Sequence, residues 1–80
     1  MTLYHLEYCP FCIEVRRSAE ALGIELTLVD VGQDPQARAM LVERRGRGTV
    51  PVLGIPSDDG EHLMGESRDI IDHLRGLAAA

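Results

Sequence analysis

The spacing of apolar residues changes several times along the chain, and each change marks an element. Thr2-Leu3-Tyr4-His5-Leu6 opens the chain and predicts a short strand from Leu3 to Leu6, followed by a turn at Glu7-Tyr8. From Cys9 onward the spacing becomes helical. Cys12, Val15, Ala19 and Leu22 recur at three- and four-residue steps, while Arg16, Arg17 and Glu20 fall elsewhere around the helix. Pro10 suits the first helical position, where its missing N–H is no loss, and Gly23 is the expected stop.

Ile24, Leu26 and Leu28 alternate with Glu25 and Thr27, a half-buried strand pattern that continues into Val29 and Val31. Asp34-Pro35 caps and opens a second helix with Ala37, Met40 and Leu41 on its apolar face, ending in Arg44-Arg45-Gly46-Arg47-Gly48. A strand from Val52 to Ile55 follows. Pro56-Ser57-Asp58-Asp59-Gly60 reads as a turn, so Glu61 to Met64 should return as its hairpin partner. The last helix starts near Ser67, with that serine as N-cap, and buries Ile70, Ile71, Leu74 and Leu77; Gly65 supplies freedom at the turn before it. The order β-α-β-α-β-β-α implies an α/β fold. One right-handed parallel crossover and one hairpin give a four-stranded mixed sheet flanked by helices.

Eighty residues with 45% apolar content suffice for one domain spanning residues 1–80. Eight Lys and Arg against thirteen Asp and Glu leave a net charge of -5, which opposes binding to phosphate backbones and sets nucleic acid aside as a partner. No apolar run reaches the ~20 residues that cross a bilayer, and no leader pattern precedes the first strand, so the expectation is a cytoplasmic, reduced monomer without membrane contact. The two cysteines stand three positions apart, too close to staple a fold.

Cys9-Pro10-Phe11-Cys12 places two thiols in the first turn of a helix, with Cα atoms roughly 5 to 6 Å apart, within disulfide range. Cys9, at the positive end of the helix, is the candidate nucleophile with a lowered pKa; Cys12, one turn in on the apolar stripe, is the candidate resolving thiol. A structural cysteine pair is the plainer alternative. A zinc site lacks a second ligand pair, so no metal residue is assigned. Pro51, in Thr49-Val50-Pro51, starts a strand without needing a partner for its ring nitrogen, yet beside a dithiol a cis bond there would turn the N–H and C=O of Val50 toward an extended peptide. Gly65-Glu66-Ser67 is either an ordinary helix start or a set of free N–H groups for a carboxylate, with Glu66 accepting from a neighbouring ammonium. Of Arg44, Arg45 and Arg47, one is a candidate for a second, distant carboxylate.

These motifs, in this order and with Asp69-Ile70-Ile71-Asp72-His73-Leu74 after them, resemble the glutaredoxins, in particular those similar to glutathione S-transferase N-terminal domains. The resemblance implies a thioredoxin-like fold and a dithiol oxidoreductase that reduces protein disulfides and glutathione mixed disulfides. Its partners would be glutathione, as reducing co-substrate, and disulfide-containing or glutathionylated proteins, with no permanently bound cofactor. By the same resemblance Cys9 takes the glutathionyl group and Cys12 closes the disulfide. Phe11, Arg47, Val50, Pro51, Glu66 and Ser67 hold glutathione. Phe11 stands where many relatives carry tyrosine. Glu7 stands where lysine is common, and a negative neighbour would raise the Cys9 pKa. Two other readings stay open: a stand-alone transferase-like domain, and a module bridging an iron-sulfur cluster.

Overall fold

A computed structural model describes residues 1–80. It contains β1 (Thr2–His5), α1 (Pro10–Ala21), β2 (Thr27–Asp30), α2 (Pro35–Arg45), β3 (Val52–Ser57), β4 (Gly60–Gly65) and α3 (Ser67–Ala79). The strands form one mixed sheet in the order β2-β1-β3-β4, with β1 parallel to β2 and antiparallel to β3. This is the α/β arrangement expected from the sequence.

Alternation along β1 and β3 divides the interior in two. Leu3 and Leu53 face α1 and α3, where they pack with Val15, Ala19, Ile70, Ile71 and Leu74. Tyr4 and Val52 point the other way, toward Val31 and Leu41 under α2. Each fully buried Leu, Ile or Val contributes about 1.5–3 kcal/mol by leaving water, so these rows dominate the fold's stability. Asp34 caps α2 by accepting the Ala37 N–H at 3.0 Å. Gly46 ends that helix in the left-handed region, φ 78°, donating its N–H to the Val42 carbonyl at 2.8 Å.

Three expectations need correction. The second strand is shorter than the alternation suggested. Ile24 and Leu26 lie before it and pack partly against the core, whereas Leu28 is 49% exposed. Leu28 shares the face of Leu3, its register partner, but β2 is an edge strand and an open cavity lies between Leu28 and the Arg16, Ala19 and Glu20 side of α1. Leu77, in the last turn of α3, is likewise 46% exposed, and the buried face of that helix ends at Leu74.

The third correction concerns Pro56, which belongs to β3 and not to the turn; the loop is only Asp58-Asp59. Ser57 and Gly60 close this hairpin, so Pro56 falls at the alternate position where strands exchange no hydrogen bonds. Its missing N–H therefore faces the side on which β1 has already ended, since the last β1 partner is Gly54. No helix is long and apolar enough to cross a membrane.

Candidate active site

One register row organises the site. Tyr4 of β1 lies opposite Val52 of β3, and Val52 lies opposite Gly65 of β4. Three chain segments leave the sheet close to this row: the Leu6-to-Cys9 turn after β1, Thr49-Val50-Pro51 before β3, and Glu66-Ser67 after β4. Residues some forty to sixty positions apart in sequence thus meet at one end of the sheet.

Cys9 is the N-cap of α1, with ψ 121°, and Pro10 follows it at the first helical position. Its N–H donates to the Leu6 carbonyl at 3.2 Å, and its carbonyl accepts the Ile13 N–H at 2.9 Å. Both cysteines are free thiols. Partial burial pulls the Cys9 pKa upward, but the Cys12 N–H, the Cys12 thiol, the Phe11 N–H and the Arg16 charge outweigh it and hold the pKa below the ordinary thiol value. Cys12 has no exposed surface. Burial, then the hydrogen bond and charge of Cys9, push its thiol up to about 11 against the opposing Leu6 backbone and Arg16.

Arg16 is a residue the sequence reading did not single out. It lies one turn beyond Cys12, and its Nη2 donates to the Glu7 carbonyl at 2.7 Å. Glu7 therefore enters the site through its backbone, which holds a cation near the dithiol; its carboxylate is not among the groups that set the Cys9 pKa. The same arginine acts on His5, buried at the end of β1, whose pKa is lowered by burial first and by Arg16 second. Its spacing of four residues from Cys12 was the available signal.

Phe11, Arg45, Arg47, Thr49, Val50, Pro51, Glu66 and Ser67 line one cavity of about 290 Å³. All six residues nominated as a binding set meet there. Cys9 and Cys12 do not line it; Phe11, in the first turn of α1, links the dithiol to the cavity wall. The Val50–Pro51 peptide bond is cis. Neither the N–H nor the C=O of Val50 takes part in a backbone hydrogen bond, so both are free to pair with an extended chain.

The start of α3 differs from expectation. Glu66, not Ser67, is the N-cap, and it sits at φ 63°, a conformation costly for a residue with a Cβ. Its side chain makes no capping hydrogen bond. The Glu66 carboxylate instead meets Arg47 Nη2 at 3.4 Å, and both side chains are largely exposed. Gly65 has an ordinary backbone, and what its missing side chain provides is room: a Cβ there would overlap the Arg45 guanidinium. Arg45 is thus laid over the end of β4 and into the cavity. Arg44 is turned away and donates to the Glu61 carbonyl at 2.5 Å. Of the three arginines, Arg45 and Arg47 reach the cavity, and their partners distinguish them from Arg44: Arg45 lies over Gly65 and Arg47 meets Glu66, whereas Arg44 is held by the Glu61 carbonyl.

Fold and site together define a class: a thioredoxin-like α/β domain with a dithiol at a helix N-terminus beside a cavity of mixed charge. The chain belongs to the glutathione S-transferase N-terminal domain family, whose match runs over residues 3–80. It is similar to Glutaredoxin-C6 of Oryza sativa subsp. japonica, 29% identical over 68 residues, which cover 81% of this chain and 58% of that one. It is also similar to a glutaredoxin of Pseudomonas aeruginosa, 27% identical over 70 residues, covering 88% of this chain and 79% of the relative. Among solved structures, a glutathione S-transferase domain-containing protein from Marinobacter aquaeolei VT8 superposes with a TM-score of 0.71 at 27% identity, covering 96% of this chain and 38% of that one. The chain therefore spans little more than half of the rice relative and well under half of the Marinobacter chain.

Proposed function

We propose that the protein is a glutathione-dependent thiol-disulfide oxidoreductase in which Cys9 attacks and Cys12 resolves. The observation that carries this reading is the contrast within the pair: an accessible thiol of lowered pKa and a fully buried one pushed up to about 11. Of the two, the first is the more readily ionised and the one a substrate can reach, which makes it the nucleophile.

The Cys9 thiolate attacks the glutathionyl sulfur of a glutathionylated protein. A Cys9–glutathione disulfide forms, and the protein thiolate leaves and takes up a proton. A second glutathione thiolate then attacks the glutathionyl sulfur, releasing oxidised glutathione and restoring the Cys9 thiolate. With a protein disulfide, Cys9 forms the mixed disulfide first. Cys12 then loses its proton and attacks the Cys9 sulfur, expelling the second target thiol and closing the Cys9–Cys12 bridge, which two glutathiones reopen. Two of the causes that raise the Cys12 pKa are the hydrogen bond and charge of Cys9 itself. Both disappear once Cys9 is in a mixed disulfide, so Cys12 becomes more acidic at the step in which it acts.

The cavity fits the charges of glutathione. Its α-carboxylate would meet the uncapped N–H groups and Ser67 at the start of α3, and its ammonium would meet Glu66. The free backbone groups of Val50 would pair with its cysteinyl residue, Phe11 would wall the sulfur, and Arg45 or Arg47 would take the glycine carboxylate. The test is reduction of a small glutathione mixed disulfide coupled to glutathione reductase, run beside thioredoxin reductase as the alternative donor. Cys12→Ser should keep deglutathionylation and lose protein disulfide reduction, while Cys9→Ser loses both; preference for thioredoxin reductase would overturn glutathione as donor.

The family match favours one second reading, conjugation of glutathione to an electrophile. Conjugation of a model aryl halide above the free-solution rate, undiminished in Cys9→Ser, would support it over disulfide chemistry.

A further inference from the structure

Next to the cavity described above lies a second one, of about 410 Å³, lined by Arg44, Arg45, Arg47, His62 and Leu63. The two share Arg45 and Arg47, so they form one continuous surface. Three of the eight cations of a chain with net charge -5 are gathered here. Few carboxylates answer them. Arg47 has its exposed contact with Glu66, Arg44 is bound to a backbone carbonyl, and Arg45 has no carboxylate within ion-pair distance. The side chain of Glu61, whose carbonyl holds Arg44, is engaged elsewhere, its Oε1 accepting from the Tyr4 hydroxyl at 2.6 Å. Glutathione carries one distal carboxylate and engages one arginine, so positive charge is left over.

We infer that the Arg44/Arg45/Arg47/His62 surface docks acidic side chains that flank the reactive cysteine of a protein substrate. The inference rests on the glutathione reading of the neighbouring cavity and adds the class of protein delivered to it. A free small anion is a poor fit: the surface is open, and it lies at the C-terminal end of α2, whose dipole opposes negative charge. A peptide already held at Cys9 differs, because tethering makes each weak ion pair intramolecular and raises its effective concentration. Docking leaves the exchange chemistry unchanged: the peptide's sulfur leaves as a thiol, Cys9 takes the glutathionyl group, and a second glutathione releases it as oxidised glutathione.

The experiment compares two glutathionylated peptides of equal length, one with aspartates and one with asparagines on both sides of the cysteine. They are reduced by the wild-type protein with glutathione at about 20 mM and about 300 mM salt, across which screening removes most surface attraction. At low salt the aspartate peptide should show a kcat/KM roughly three- to tenfold higher, the range of one or two exposed ion pairs, and the ratio should approach one at high salt. Arg44→Gln should lower that ratio while leaving turnover of a small glutathione mixed disulfide unchanged. Should Arg44→Gln fail to fold, His62→Glu, at an exposed residue that lines the same cavity, should lower the ratio in its place. Equal kcat/KM for the two peptides at low salt, or a ratio that neither substitution moves, overturns the docking surface alone. Failure to reduce either peptide with glutathione overturns the reading of the cavity and the inference with it.

Discussion

The division of labour between the two thiols can be measured one cysteine at a time. Cys12 is pushed from an ordinary 9.0 up to about 11. Each pH unit is a tenfold change in thiolate and about 1.4 kcal/mol, so below pH 9 its thiolate is roughly a hundredfold scarcer than that of an ordinary cysteine. Complete burial adds a steric barrier to any reagent. In Cys9→Ser the two contributions of Cys9 are gone but burial, the largest, persists. Iodoacetamide at pH 7.5 should therefore alkylate Cys12 in the folded variant at least tens of times more slowly than in urea-unfolded chain, read by intact mass against time. In Cys12→Ser the Cys12 thiol is gone, but the backbone N–H groups of residues 11 and 12 and the Arg16 charge still favour the thiolate, so Cys9 should label faster than in the unfolded chain. Folded Cys12 reacting within about threefold of its unfolded rate would refute the argument, since neither burial nor a raised pKa would then be acting on it.

Arg16→Gln should raise the midpoint of the Cys9 pH–reactivity profile, because it removes a cation that favours the thiolate. Arg16→Lys should restore most of it; a profile unmoved by the loss of charge would remove Arg16 from the site. Tyr4, hydrogen bonded to Glu61 and buried, has its pKa raised from 10.0 to about 12, chiefly by burial. A folded pKa above the unfolded one stabilises fully below pH 10 and is lost as pH rises toward 12, here about 2–3 kcal/mol. Urea unfolding across that window should show the loss in wild type and a shallower decline in Tyr4→Phe; parallel curves would contradict the burial of the hydroxyl. The eight Lys and Arg positions are all arginines, which keep their charge there, and Cys12, which titrates in the same window, is common to both proteins, so the difference between the two curves belongs to Tyr4. Gly65→Ala should displace the Arg45 guanidinium, the mobile end of a flexible side chain, and so raise the KM for glutathione on the order of tenfold, as for a lost charged hydrogen bond, with little change in Tm. An unchanged KM would exclude Arg45 from glutathione binding.

Features that depend on neighbours along the chain are legible in the residues alone. A proline between two cysteines, a three-and-four stripe and an Asp-Pro start are local instructions. They became α1 with Cys12 buried on its stripe and α2 capped by Asp34. The order of elements limited the sheet to few arrangements, and the motif residues Phe11, Val50, Pro51, Glu66 and Ser67 were legible because each stands at an element boundary. Which distant groups share a surface follows from the packed fold and from nothing local. Periodicity shows that a residue is apolar but not whether another element reaches it, which is why Leu28 and Leu77 were placed inside and lie exposed. Likewise nothing in Arg44-Arg45-Gly46-Arg47 ranks one arginine above another. The ranking comes from β4, where Gly65 leaves room for Arg45 and the Glu61 carbonyl takes Arg44. The charge acting on Cys9 follows the same rule: adjacency in sequence pointed to Glu7, whereas the helix turn and the Glu7 carbonyl bring Arg16. Electrostatics acts through space, and the register Tyr4–Val52–Gly65 sets those distances at the site.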